Sequence, residues 1–528
     1  MSAASTSYDA LPYEGGAIPL THPLRLAAAA GLQGLATAPV ATGRVLEIGC
    51  GDGFNLLPLA ACYPEATFHG LDLSQRHITA AQAVAHEVGL TNVTFTRCDV
   101  LEFQPAGRHY DYIIAHGIFS WVPETVRHRI LRVIAEGLSD AGIATVSYNT
   151  FPGWRLRGAL RDLLRFHTEA TPSSLEKVQR GRELLTALSQ SVIPGTAYGT
   201  YLKHEIQEAT ARSDSYLLHE FIEGENQPFS LPEFVAVAEN EGLAYVGDAD
   251  PRVTAGGNLR PDVSEALKQV TRDPIAFAQY VDFITVGSFR RSLLVRKGRR
   301  PDPVPDHDGV RRGWFSSPFQ PESAAPQIKP GARERFHGRA GTSFETDHAL
   351  VKAVVVQLSQ VSPADLSHSA LVESVGSRLS PFEVNLNTPA ESGGPPDRAL
   401  IRPLIELVNR GLVEFTLEPL PAVGNQRGRP RVSALTRYEA KHRSTVTNRR
   451  HVGVKVAALI RWLMVRLDGT RSRENLEHEY CQAAESGILA VTVGGRVVTD
   501  PAALRAVASE HVGLGLGRLE ASAYLLPG

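Results

Sequence analysis

The chain has 528 residues, too many for one compact core, so two to four domains are expected. Its 43% hydrophobic and 21% charged content is ordinary for a soluble globular protein, and a formal net charge of −2 argues against wholesale binding to nucleic acid or an anionic membrane. The four cysteines, Cys50, Cys62, Cys98 and Cys481, form neither a C-x-x-C pair nor a Cys/His metal spacing, so no disulfide framework and no metal site is expected.

Residues 1–43 lead into the first strand. Tyr8, Asp9, Pro12 and Tyr13 precede Thr21-His22-Pro23, and Leu24, Leu26, Ala27 and Ala30 predict a helix ending at Gly31 or Gly34. The apolar run from Leu26 to Leu32 is short, alanine-rich and preceded by Asp9 and Glu14 rather than by basic residues. It reads as neither a signal peptide nor a membrane span, and a reducing cytoplasm is the expected compartment. The leader would lie across a ligand mouth as a lid, or pack on the domain edge as an arm.

Val45 to Ile48 is a short apolar run followed by glycines at 49, 51 and 53. This predicts a buried strand that turns sharply into a helix near Phe54, with the helix's free N–H groups facing whatever sits on the loop. The dinucleotide fingerprint G-x-G-x-x-G fails, because its third glycine would fall on Phe54. The pattern present, E-x-G-x-G-x-G from Glu47 through Gly49, Gly51 and Gly53 and on to Asn55, resembles motif I of the class I S-adenosylmethionine (AdoMet) methyltransferases.

Residues 66–72 predict a second strand ending in Asp72, about 20 residues beyond Gly53, where an acid that accepts from both ribose hydroxyls belongs. Ser74 caps a helix through Ile78, Ala81 and Val84 that ends at Gly89. Val93 to Thr96 is a third strand, closed by Cys98-Asp99-Val100, with Asp99 placed to accept from an adenine amino group. Leu73 and Val100 complete the expected cofactor set beside these acids. Tyr110 to Ala115 is a fourth strand ending at His116-Gly117, and Gly142 to Asn149 a fifth.

Strands alternating with helices imply a doubly wound parallel sheet, whose ligands bind beyond the carboxyl ends of the strands. Glu47, Asp72, Asp99, His116, Tyr148 and Asn149 all fall at those ends. His116 would take a proton or contact the ligand, and Tyr148 and Asn149 would orient an acceptor amine. Trp121 and Trp154 would wall an alkylammonium group, with Tyr13 and His22 in the same substrate pocket.

Taken together, Tyr8-Asp9…Pro12-Tyr13, Thr21-His22-Pro23, the Glu47–Asn55 loop, 116–123 (His-Gly-Ile-Phe-Ser-Trp-Val-Pro) and 148–154 (Tyr-Asn-Thr-Phe-Pro-Gly-Trp) resemble the bacterial class I methyltransferases with a methyltransferase regulatory domain. The rickettsial outer-membrane-protein lysine methyltransferases belong to that group. The resemblance implies AdoMet as cofactor, in-line methyl transfer, and a protein lysine amine as acceptor. A small-molecule N- or O-methyltransferase is the rival enzyme reading, and an AdoMet-sensing DNA-binding regulator the non-enzyme one. No nucleic-acid or membrane partner is expected; the short basic run Arg427–Arg431 reads as a solvated connector.

The expected fold is thus α/β: a doubly wound, mostly parallel Rossmann-like methyltransferase sheet, then α+β accessory domains, the last winged-helix-like. The cofactor domain with its lid would span 1–155. Residues 156–213 read as a helical insertion that covers the site or forms a homodimer contact. Residues 214–298 resemble the regulatory domain, with Gly287 where members often carry an arginine. Pro- and Gly-rich residues 299–342 read as a linker. A winged-helix-like domain would fill 343–528, read chiefly from the amphipathic helix at 399–408 and the strand that follows at 412–416.

Overall fold

Apolar runs at 44–48 and 110–115 become the central strands of one sheet. The computed structural model describes residues 11, 15–105, 107–191, 195–299, 307–382, 400–493 and 496–528. Strands β1 (Arg44–Ile48), β2 (Thr67–Asp72), β3 (Val93–Arg97), β4 (Tyr110–Ala115) and β5 (Leu138–Asn149) pair in parallel in the order β3-β2-β1-β4-β5. Strand β5 starts at Leu138, before the expected Gly142.

The period of two along each strand sends alternate side chains to opposite faces. Val45, Tyr112, Ile114 and Ile143 face one layer with Leu24, Leu57 and Ile78. These three come from α1 (Pro23–Gly31), α2 (Leu57–Cys62) and α3 (Gln75–Glu87). Leu46, Ile113, Ala144 and Val146 face the other layer, with Ile130 and Ile134 of α4 (Glu124–Gly137). Burial on both faces is why β1 and β4 lack an apolar–polar alternation. The strand order reverses between β1 and β4, which places the ligand crevice beyond their carboxyl ends.

Helices α5 (Gly153–Thr168), α6 (Ser174–Ser191) and α7 (Ala197–Ala211) build a separate apolar cluster from Leu160, Leu164, Val178, Leu185 and Ile206. After α8 (Leu231–Asn240), strand β6 (Leu243–Asp248), helix α9 (Pro274–Thr285) and strand β7 (Phe289–Arg296), the sheet reaches seven strands, ending β5-β7-β6. Strand β7 runs antiparallel to both neighbours, in register from Asn149↔Phe289 to Ala144↔Leu294 on β5. The segment 214–298, expected as a regulatory domain, supplies the last two strands of the same sheet. Its strands cover the edge that β5 would otherwise leave unpaired.

The expected linker is folded over much of its length. Strands β8 (Trp314–Ser316), β9 (Gln320–Pro321), β10 (Glu334–His337) and β11 (Ser343–Thr346) lie within or just past it, and Phe315, Phe319 and Phe336 are buried. Between residues 307 and 342, turns alternate with short strands; residues 300–306, with Pro301, Pro303 and Pro305, lie outside the described residues.

Beyond it stand two apolar clusters where one domain was expected. The first joins α10 (Ala349–Val361), α11 (His368–Leu379) and α12 (Ile401–Asn409) with Phe315 and with Phe415 of β12 (Glu414–Thr416), which pairs with β8. The helix–strand unit read as a winged helix belongs here. The second cluster holds α13 (Ala434–His442), the hairpin of β13 (Thr445–Thr447) and β14 (Gly453–Lys455), α14 (Ala458–Arg466), α15 (Arg473–Glu485) and α16 (Pro501–Ala521).

Candidate functional site

The loop after β1 explains its own glycines. Gly49, Gly51 and Gly53 have φ of +77°, +53° and +79°, a region that costs other residues strain. A Cβ on Gly49 would come 2.5 Å from Ile118 Cγ2, and one on Gly53 would come 2.7 Å from Phe95 Cζ. A Cβ on Gly51 would meet nothing within 4 Å, so its bare backbone faces open space.

Carboxylates surround that opening. Glu47 is buried and accepts from Asn55 Nδ2 at 2.7 Å through Oε1, while its Oε2 has no hydrogen-bond partner among the described residues. Burial, opposed by the Asn55 hydrogen bond and reinforced by Asp72 and Asp52, pushes the Glu47 carboxyl up to about 8. Asp72 Oδ2 accepts the Gly51 N–H at 2.9 Å and Oδ1 the Ser74 N–H at 2.8 Å, so the carboxylate braces the loop from the end of β2. Asp99 Oδ1 accepts the Leu101 N–H at 2.9 Å in the turn after β3. Leu73 is 50% exposed beside Asp72, and Val100 is half-buried beside Asp99. Apolar surface next to acids suits a flat base attached to a hydroxylated sugar.

Asn55 is the hub behind the loop. Its amide donates to Glu47 and to Thr21 Oγ1 at 3.0 Å, and its Oδ1 accepts the Ile18 N–H at 2.9 Å. The Gly15 N–H donates to Asp52 Oδ2 at 3.1 Å. The leader thus runs along the loop at 15–21 and then buries α1 between the sheet and the following domain, where Arg25 pairs with Glu414 at 2.8 Å. Tyr13 lies outside the described residues.

At the far side of the crevice, the Gly117 N–H donates to Ser147 Oγ at 2.8 Å, joining the ends of β4 and β5. His116 is half-buried, with its ring edge-on to Phe289 at 5.6 Å. Burial and the Arg291 guanidinium push its pKa down to about 3, so the imidazole is neutral and a poor proton acceptor. The Asn149 N–H donates to Ser120 Oγ and its Nδ2 to Asn226 Oδ1, both at 2.9 Å.

Four expected site residues have other partners. Tyr148 is 1% exposed in the core, stacked on Phe234, with its hydroxyl on Ser292 Oγ at 2.9 Å. Strand alternation turns it away from the face of Ser147, and burial raises its pKa well above the usual tyrosine value. It does not reach the crevice to orient an amine. His22 is the N-cap of α1: its Nδ1 accepts the Leu24 N–H at 3.0 Å, and the ring is buried against Tyr63. Trp121 and Trp154 do meet, edge to face at 5.6 Å. Each already carries a guanidinium, Arg161 over Trp121 at 5.9 Å and Arg157 over Trp154 at 5.3 Å, so their cation–π partners are internal. Ser120 lies within the 116–123 run but was not singled out as a site residue, and Ser147 and Arg291 carry no motif; the fold brings all three to the ends of β4 and β5.

The open backbone at Gly51, the orphaned Glu47 oxygen and the partly exposed Asp72 carboxylate fit AdoMet, which offers hydroxyl and amine donors. Glu47, Gly49, Gly51, Gly53, Asn55, Asp72, Leu73, Asp99, Val100 and His116 are the residues that would hold it.

Comparison with known proteins agrees with this geometry. Family models match at 45–142 ("Methyltransferase domain"), 213–296 ("Predicted methyltransferase regulatory domain") and 428–524 ("PKMT, C-terminal winged helix domain"). The last match covers the second C-terminal cluster and not the helix–strand unit near 400–416. RP789 of Rickettsia prowazekii is 28% identical over 513 residues, covering 94% of this chain and 90% of its own. RP028 of the same organism is 34% identical over 236 residues, covering 94% of its own length. The structure of PKMT2 from Rickettsia typhi in complex with AdoHcy superposes with a TM-score of 0.84 at 26% identity, over 97% of this chain and 100% of that one. The chain belongs to the class I AdoMet-dependent methyltransferases that carry a methyltransferase regulatory domain, with a PKMT-type winged helix at the C-terminal end.

Proposed function

We propose that the acceptor is a protein lysine amine. The supporting observation is the length of the likeness to Rickettsia typhi PKMT2, which extends through every accessory domain and not merely the cofactor sheet. Accessory domains are where acceptor choice is made in a fold that serves many chemistries. The connecting turn of the winged-helix hairpin is docked on the cofactor loop, with His451 only 2% exposed, while the strand Gly453–Lys455 is exposed. A docked wing tip supports an intramolecular role over that of a DNA-reading regulator. No helix among the described residues is long and apolar enough to cross a membrane. We place the enzyme in the cytoplasm, with its cysteines reduced.

Bound AdoMet supplies a methyl group activated by its sulfonium. The residues of this chain position and desolvate. The glycine loop admits the ligand against backbone, Asp72 accepts from ribose hydroxyls, and Asp99 with Leu73 and Val100 holds the base. His116, neutral, offers a nitrogen lone pair that orients an N–H of the acceptor or cofactor rather than removing its proton. A lysine amine, with a free pKa of ~10.4, must then lose its proton to solvent, helped by the low dielectric of a crevice floored by buried residues.

The domain organisation supports the same reading. The helical insertion exposes Phe166, Leu175 and Tyr198, one on each of its three helices, as apolar side chains that a second subunit or the acceptor protein would cover. Incubation with methyl-labelled AdoMet and fractionated lysate, followed by mass spectrometry of the labelled species, tests the acceptor. Label on lysine side chains of protein supports the proposal. Label confined to metabolites assigns the small-molecule activity instead.

A further inference from the structure

The glycine loop is held from two sides, and one of them is the C-terminal domain. The turn joining β13 to β14 places His451 beside Asn55, with His451 Nε2 2.9 Å from Asn55 Oδ1. The proton on that bond can be assigned. Asn55 Oδ1 also faces the Ile18 backbone N–H, which can only donate, so the atom there is the amide oxygen. The opposite end of the amide donates to Glu47 and Thr21. His451 must therefore donate through Nε2, and its Nδ1 is the bare nitrogen, buried with no partner among the described residues. The turn is built to present this donor. His451 has φ of +57°, and its N–H donates to the Asn448 carbonyl at 3.0 Å. Asn448 is itself tied by its amide to the Ser522 carbonyl at 2.9 Å.

Arg443, which follows α13 in the same domain, grips the other side of the loop. Its guanidinium lies 3.8 Å from the centre of the Phe54 ring, with Nη1 3.6 Å from Asp52 Oδ2 and Nη2 donating to the Gly15 carbonyl. Asp52, Phe54 and Asn55 are the residues with side chains between Gly51 and the N-cap of α2. All three are in contact with a C-terminal-domain side chain nearly 400 residues away in sequence, the His451–Asn55 separation being 396.

We infer that His451 and Arg443 are positioning residues for the AdoMet site, so that the winged-helix domain is a structural part of the cofactor pocket rather than only a handler of acceptor. The chain of contacts is short: His451 orients Asn55, Asn55 orients the Glu47 carboxyl, and Arg443 fixes the Asp52–Phe54 flank, leaving Gly51 open between them. This inference rests on the assignment of the 47–55 loop to AdoMet.

The test is calorimetric titration of the full-length chain with S-adenosylhomocysteine. His451→Phe keeps the ring edge-on to His22 but removes the donor. It should weaken binding about tenfold, the loss expected when one net hydrogen bond's worth of order is removed. His451→Gln, whose amide nitrogen reaches the same place, should recover most of that loss, which a merely structural role would not predict. Arg443→Ala should weaken binding similarly and leaves the turn at His451 untouched, so the inference stays testable if His451→Phe folds poorly. KM for the acceptor should be unchanged in each. Asp72→Ala is the control on the loop assignment. Wild-type affinity in both His451→Phe and Arg443→Ala, with affinity lost in Asp72→Ala, overturns the inference alone. Wild-type affinity in all three overturns the loop assignment with it.

Discussion

Tyr148 stacks on Phe234, their ring centroids 4.0 Å apart and their planes 20° from parallel. A residue at the end of the fifth strand, where a catalytic hydroxyl would be sought, is thereby committed to the core. Tyr148→Phe should leave turnover within about twofold of wild type. It should cost about 1 kcal/mol of stability, because the buried Ser292 hydroxyl loses its partner. Thermal unfolding together with steady-state kinetics checks both. A large fall in turnover with unchanged stability would return Tyr148 to the chemistry.

Asp72 braces the glycine loop, and the proposed ribose contact gives it a second task that substitution should separate from the first. Its carboxylate already accepts from the Gly51 and Ser74 N–H groups and also has lone pairs for ribose. Asp72→Ala should lower AdoMet affinity by one to two orders of magnitude, through lost ligand hydrogen bonds and a slackened loop, an order-of-magnitude expectation for a charged acceptor. Asp72→Asn keeps one acceptor oxygen and should lose less. Unchanged affinity in Asp72→Ala would place the ribose elsewhere.

Glu47 makes the ligand-free protein sensitive to pH. Its carboxyl is raised from 4.5 to about 8, so between those values the folded chain binds more protons than the unfolded one. Stability then falls as pH rises through that window, since the slope follows protons bound in the unfolded state minus those in the folded state. Glu47→Gln mimics the protonated form and should flatten this component. The wild-type unfolding midpoint should drop more than that of the variant between about pH 5 and pH 8. Parallel curves would mean that Glu47 ionises as an ordinary surface acid.

His116 should be silent in the pH profile of catalysis. With its pKa pushed down to about 3, it is protonated only below the pH range in which the enzyme is assayed. No ionisation near the ordinary histidine value should therefore appear in kcat/KM that His116→Gln removes. An inflection abolished by that change would mark His116 as a working base.

Much of the candidate site was legible because its signals are local. Glu47 and the glycines mark a strand that must turn tightly, and Asp72 and Asp99 follow at one strand–helix unit each. Tyr148 was misread because strand alternation near a chain end cannot be phased until the covering elements are known. Those elements, α8 and β7, come from residues some 80 and 140 further on, and no spacing links them to β5. Trp121 and Trp154 did meet, but the guanidiniums over them, Arg161 and Arg157, come from α5, and nothing in the spacing shows which side chains of that helix reach back over the rings. The helix and strand near 400–416 carry a winged-helix pattern that proved to be a β-supported helical module, since its strand pairs with residues 314–316. The contact of His451 with Asn55 left no trace at all. Its partners come from opposite ends of the chain, and a lone histidine in a hairpin turn signals nothing.

Gly49→Ala and Gly51→Ala should part the loop's folding role from its binding role. Both glycines have positive φ, so alanine at either costs about 1 kcal/mol or more in backbone strain. At Gly49 the new methyl would also strike Ile118, which packs partly buried between the loop and the layer beneath β4, and overpacking there should add about 1–3 kcal/mol. At Gly51 no protein atom stands in the way, so the variant should fold with only the backbone cost. Its methyl group would instead occupy the space on the ligand's side of the loop. Gly51→Ala should therefore lose cofactor affinity out of proportion to its loss of stability, and Gly49→Ala should lose stability first. Unfolding midpoints and calorimetric titration of both variants decide the matter. If Gly51→Ala binds as the wild type does, the open face of the loop is not where the cofactor lies.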